Sequence, residues 1–172
     1  IVVESGSLTA ESSAFKRNRQ AGILLKNGAT ASLVRLAVTD NDQAGLSVFS
    51  SSVTAQDILA SRNHREGILA ADSTLQLSQV QASQNQRQGI FASAGTIQVT
   101  GGILENNQQE GIRINGGTVV LNDIRATSNL QEGISLRGIS SGQVRGAQAI
   151  SNQGHGLQIL NGGFVEIDDC SF

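Results

Sequence analysis

The sequence contains no proline, methionine, tryptophan or tyrosine, and its aromatic content of 3% is carried by five phenylalanines. Without Trp or Tyr, a sugar site built on broad aromatic faces with polar handles is not expected, although a groove lined by Asn, Gln and Arg remains feasible. A single thiol, Cys170, excludes an intrachain disulfide and leaves the redox compartment open. No apolar run approaches the roughly 18–20 residues that a membrane span needs. Twelve Lys and Arg, scattered along the chain, stand against fourteen Asp and Glu. That balance offers no electrostatic footprint for nucleic acid or an anionic membrane.

What the chain does have is a period. Asn, three mostly polar residues, Gly, then Ile or Leu begins at Asn18, Asn41, Asn63, Asn85, Asn107, Asn129 and Asn152, with steps of 22 or 23 residues. Counting each Asn as position 1, position 5 is Gly22, Gly45, Gly67, Gly89, Gly111, Gly133 and Gly156. Position 6 reads Ile1, Ile23, Leu46, Ile68, Ile90, Ile112, Ile134 and Leu157, so the chain opens inside a repeat. Further apolar pairs two residues apart recur at positions 13 and 15 and at 18 and 20. Apolar alternation with period 2 means strands. Three short strands per repeat, each stacked on its equivalent in the next, predict an all-β, parallel β-helix solenoid. It should have three parallel sheets and about 7.5 coils of ~22 residues, some 36 Å long. A single domain over 1–172 is expected, as a piece of a longer protein, because Ile1 falls in mid-repeat.

The seven Asn residues are expected to stack as an amide ladder at a corner where strand hydrogen bonds lapse. An Asn-lined binding groove is the rival reading. The position-5 glycines are assigned to the turn, through a positive φ or close packing under the next coil. Single-residue insertions around Asn27, Gly138 and Asn161 mark one variable corner. Phe15 and Phe172, both at position 20, would plug the ends of the core.

Position 4 holds the residues most open to chemistry: Ala21, Ala44, Glu66, Gln88, Glu110, Glu132 and His155. Glu110 and Glu132 sit on neighbouring coils and are the weak catalytic candidates, as an acid pair or paired Ca²⁺ ligands. The plainer expectation for that column is a solvated polar row interleaved with Arg65, Arg87 and Arg113. His64 and His155 lie four coils apart and cannot share a metal, and no cofactor or metal site is expected.

The Asn-x-x-x-Gly-Ile repeat with its apolar alternation resembles the right-handed parallel β-helix repeats of the pectin-lyase-like superfamily, over Ile1 to Phe172. The resemblance implies right-handed coiling, a secreted or cell-surface bacterial setting, and a place among polysaccharide lyases, hydrolases and epimerases. Polygalacturonases of that superfamily use Asn-Thr-Asp, Asp-Asp and Gly-His-Gly in that order. Here Gly154-His155-Gly156 precedes Asp168-Asp169, no Asn-Thr-Asp occurs, and Gly156 is the repeat's own glycine, so their catalytic set does not carry over.

The functional expectation is a non-catalytic structural or interaction module, for adhesion or spacing within a larger surface or secreted protein. Its partner would be a polysaccharide or another surface protein, with end-to-end association through open strand edges. The alternative is part of a carbohydrate-active enzyme, a lyase, hydrolase or epimerase. A cluster of three carboxylates, or a carboxylate together with Arg and Lys, on one sheet face would favour the enzyme. A flat Gln/Asn/Ser surface without a cleft would favour the module.

Overall fold

The computed structural model describes residues 1–172 and contains strands, turns and bends but no helix. On the first face of the solenoid, eight strands stack in chain order: Val2–Glu4, Ile23–Lys26, Leu46–Phe49, the beginnings of Ile68–Ser83 and Ile90–Glu105, then Ile112–Asn115, Ile134–Arg137 and Leu157–Leu160. Every pairing is parallel. The register joins equivalent repeat positions: Ile112 lies opposite Ile90 on one side and Ile134 on the other. The inward columns are therefore those that the alternation marks.

Two further faces complete each coil. Strands such as Ser52–Ser61 and Thr118–Thr127 run through both, bending at a corner where Asp57 and Asp123 adopt positive φ. Strands Ile68–Ser83 and Ile90–Glu105 carry the pairing through all three faces of their coils. A second corner is set by the residue just before each ladder asparagine. Arg17, Asp40, Arg62, Gln84, Asn106, Ser128 and Ser151 all have φ between 54° and 60° there. The third corner, which carries the insertions, bends at Asn27, Ser50, Asp72, Ala94, Gly116, Gly138 and Asn161.

The core is one cluster of 36 buried apolar residues running the length of the rod, and Ile23, Ile68, Ile90, Ile112 and Ile134 are completely buried in it. Burying such a side chain contributes about 1.5–3 kcal/mol. Phe15 packs partly buried against the core at one end. Phe172 is 51% exposed at the other, so it does not plug that end.

The asparagine ladder is present and is internal. Asn107 donates from its backbone N and from Nδ2 to Asn129 Oδ1, both at 3.0 Å, and from Nδ2 to the Ala82 carbonyl at 3.0 Å. Its own Oδ1 accepts from the backbone N and Nδ2 of Asn85 at 3.1 and 3.0 Å. Asn41, Asn63, Asn85, Asn107 and Asn129 are completely buried, which is incompatible with an Asn-lined groove.

The position-5 glycines serve close approach. None of the seven has a positive φ. A Cβ on Gly89 would lie 2.6 Å from the Gly111 carbonyl oxygen and 2.9 Å from Asn107 Nδ2. The next coil's backbone and the ladder amide occupy the space a side chain would need.

Candidate functional site

The site is built on the outer side of the first face. Outward residues there come from positions 7 and 9, and the polar corner at positions 2–4 stands beside them. Position 7 runs Val2, Leu24, Ser47, Leu69, Phe91, Arg113, Ser135 and Gln158, while position 9 supplies Phe49, Asn115 and Arg137 among others. The face thus changes along the rod from apolar to charged.

At its amino-terminal half, Val2, Leu24, Phe49 and Leu69 meet Arg19 and Arg65 around an open cleft of about 440 Å³. Farther along, Phe91, Arg87, Arg113, Gln109, Gln88 and Glu66 line a smaller cleft of about 200 Å³. Arg113 stands over the Phe91 ring, 5.9 Å from its centroid, a cation–π contact between neighbouring coils.

Position 4 is not the solvated row expected of it. Glu66 and Gln88 are 4% and 5% exposed, and Glu110 is completely buried. The outward arginines fold over this column and shield it. Glu110 accepts from Gln88 Nε2 at 3.0 Å and Arg113 Nη1 at 3.4 Å, with Arg137 Nη2 at 3.9 Å. A buried carboxylate requires this pairing, because an unpaired charge is strongly disfavoured away from water. Both arginines stay about a third exposed on their outer side.

Glu110 and Glu132 have different hydrogen-bond partners. Glu132 accepts from Gln158 Nε2 at 3.0 Å and lies 3.8 Å from His155 Nδ1. Gln158 Oε1 in turn accepts from Arg137 Nη2 at 3.0 Å, and Ser135 Oγ accepts from Arg137 Nε at 3.1 Å. One network therefore joins Glu110, the two arginines, Gln158, Glu132 and the exposed His155. No group of three or more His, Cys, Asp or Glu side chains converges on one point in the chain. Asp168 lies with Arg145 on a different face, and Cys170 packs partly buried against the end of the core.

Arg137 enters the sequence expectation only as a neighbour of the variable corner, and Phe91 not at all. They sit in outward columns, whereas the period is read most easily from the inward ones.

Residues 1–119 match the family model described as a right-handed beta helix region. The chain belongs to the right-handed β-helix family. No curated protein sequence matches it significantly. Among solved structures, this β-helix is similar to the periplasmic alginate epimerase AlgG at a TM-score of 0.81 and 14% identity, covering 99% of this chain and 50% of that one. A point mutant of AlgG superposes at a TM-score of 0.90 with 15% identity, covering 99% and 46%. The A-module of the mannuronan C-5 epimerase AlgE4 from Azotobacter vinelandii gives 0.61 and 12%, covering 95% and 62%. The chain thus spans about half the length of the AlgG structures, and at these identities the likeness establishes the shared fold.

Proposed function

We propose that this β-helix is part of a carbohydrate-active enzyme of the lyase or epimerase kind, and that the outer side of its first face holds an acidic polysaccharide. The observation that carries the reading is the buried Glu110 holding Arg113 and Arg137 side by side, each with its outer side open to solvent. Two guanidinium groups anchored from below are preorganised to receive a sugar carboxylate. The smaller cleft, which Arg113 lines, and the fold shared with alginate epimerases support the same reading. A secreted or periplasmic bacterial setting accords with it.

The chemistry that such a site supports is proton removal from the carbon next to the carboxylate. The arginines would neutralise the charge that develops on the carboxylate as the C–H electron pair moves onto it. Glu132 and His155, adjacent to each other and linked to Arg137 through Gln158, are the titratable groups available to take up and return the proton. Glu110, completely buried, is a positioning residue in this scheme.

The non-catalytic module has one observation in its favour. The arginines already have a protein partner, so the network is complete without a ligand. Calorimetric titration with mannuronan oligosaccharides separates the readings. Binding is expected to weaken at high salt and to fall by about tenfold or more in Arg137→Ala, the scale of one lost charge-assisted hydrogen bond. Binding indifferent to salt and to Arg137 would return the face to a structural role.

A further inference from the structure

One oxygen on this face lacks a partner. Glu66 is nine-tenths buried, with its side chain 5% exposed, and its Oε1 accepts from Arg87 Nη1 at 3.2 Å. Its Oε2 is buried and has no hydrogen-bond donor. A buried carboxylate oxygen without a donor is a costly state that a folded chain rarely retains without a reason. Glu66 lines the smaller cleft, together with Phe91, Arg87, Arg113 and Gln109.

We propose that this cleft is a second sugar subsite, sharing Arg113 with the Arg113–Arg137 pair, in which Glu66 accepts a hydrogen bond from a pyranose hydroxyl while the ring lies against Phe91. The inference rests on the carbohydrate reading of the face and adds a residue-level specificity to it. Three features define the ligand. The missing partner is a donor, and the flanking Arg87 and Arg113 disfavour a cationic one, which favours a neutral donor such as a sugar hydroxyl. Phe91, with Arg113 over one side of its ring, supplies apolar surface for the C–H groups of a sugar ring on its remaining exposed part. Gln109 and the two guanidinium groups are donors for ring, hydroxyl or carboxylate oxygens around it.

The position on the rod gives the subsite its meaning. Phe91 pairs with Arg113 on the next coil, and Arg113 helps to anchor the carboxylate clamp with Arg137 one coil farther on. A chain lying along the rod would thus place an acidic unit on the clamp and a neighbouring unit over Phe91. Arg87, about half exposed, is free to re-seat as that unit enters. The subsite would select a unit whose hydroxyl is free, and an ester on that oxygen would remove the donor that Glu66 lacks.

The test uses the whole chain, a mannuronan tetrasaccharide as the probe, and calorimetry with a thermal melt for each variant. In Glu66→Gln, the amide oxygen is held toward Arg87, so the –NH₂ takes the place of Oε2 and turns an acceptor into a donor. This variant is expected to bind about tenfold more weakly, on the scale of one hydrogen bond to a charged group, with an unchanged or raised melting temperature. Phe91→Leu, which keeps the surface apolar but removes the flat ring, is expected to weaken binding in the same direction. Affinity unchanged in both, while Arg137→Ala loses it, would overturn the subsite and leave the carbohydrate reading standing. No binding by the wild-type chain would overturn both. A crystal of the complex with only a water on Glu66 Oε2 and no sugar over Phe91 would also overturn the subsite.

Discussion

A ladder asparagine such as Asn107 takes part in five hydrogen bonds through its backbone N–H and side-chain amide, and every one of them is made without solvent. Replacing it by alanine removes the acceptor of the Asn85 backbone N–H, one of the two acceptors of the Asn85 side-chain amide, and the ladder donor to the Ala82 carbonyl. Asn107→Ala is expected to cost on the order of 3 kcal/mol, since each buried group left unsatisfied costs about 1–3 kcal/mol. The side-chain amide of Asn18, exposed at the start of the ladder, donates to Asn41 and receives nothing from a preceding asparagine. Asn18→Ala should therefore cost no more than about 1 kcal/mol. Urea unfolding of the two variants measures the contrast, and equal losses would show that the ladder is not a cooperative buried element. The glycines beside it obey a related constraint, because at Gly89 the obstruction is the Gly111 carbonyl and the ladder amide rather than a left-handed backbone.

At the scale of the element, corners are stitched from coil to coil by ion pairs whose strength depends on pH. Arg62 donates from Nε to Asp40 Oδ1 at 2.8 Å and from Nη2 to Oδ2 at 3.0 Å, across one coil step. The guanidinium, with help from the Thr39 hydroxyl, holds the Asp40 carboxyl down from an ordinary 3.8 to about 2. A carboxyl whose folded pKa is depressed adds stability above its unfolded value, and that stability is lost as pH falls through the folded one. Asp40→Asn should thus be less stable than wild type at pH 6, with the difference closing between about pH 4 and pH 2. The pair is partly exposed, so the effect will be small. Denaturant midpoints at the two pH values check it.

The strands themselves were legible in the sequence because their signal is local and repeated: Ile90, Ile112 and Ile134 occupy one column, and the pairing joins them residue to residue. The site was less legible. Whether Glu110 faces water depends on Arg113 and Arg137, which come from different positions on different coils and reach across to cover it. A period reports which columns point inward, but it does not report how far an outward side chain folds back. Reading the outward positions 7 and 9 as carefully as the inward ones would have brought Phe91, Arg113 and Arg137 onto one face. A count of aromatics likewise does not report their placement: Phe49 and Phe91 line the clefts while Phe15 packs toward the core.

For the whole molecule, regularity and variation occupy different surfaces. Core, ladder and close-packed glycines make a stiff rod in which equivalent positions repeat with little variation. The first face departs from that regularity, passing from an apolar cleft at Leu24 and Leu69, through Phe91, to the charged network from Glu110 to His155. Fold alone does not fix activity, and it is this gradient that gives the enzyme reading its content. The most direct measurement is a crystal structure of the chain soaked with a mannuronan oligosaccharide. The account predicts ordered sugar along the first face, with a carboxylate within hydrogen-bonding distance of Arg113 and Arg137. Sugar bound on another face, or a first face empty at saturating oligosaccharide, would contradict it.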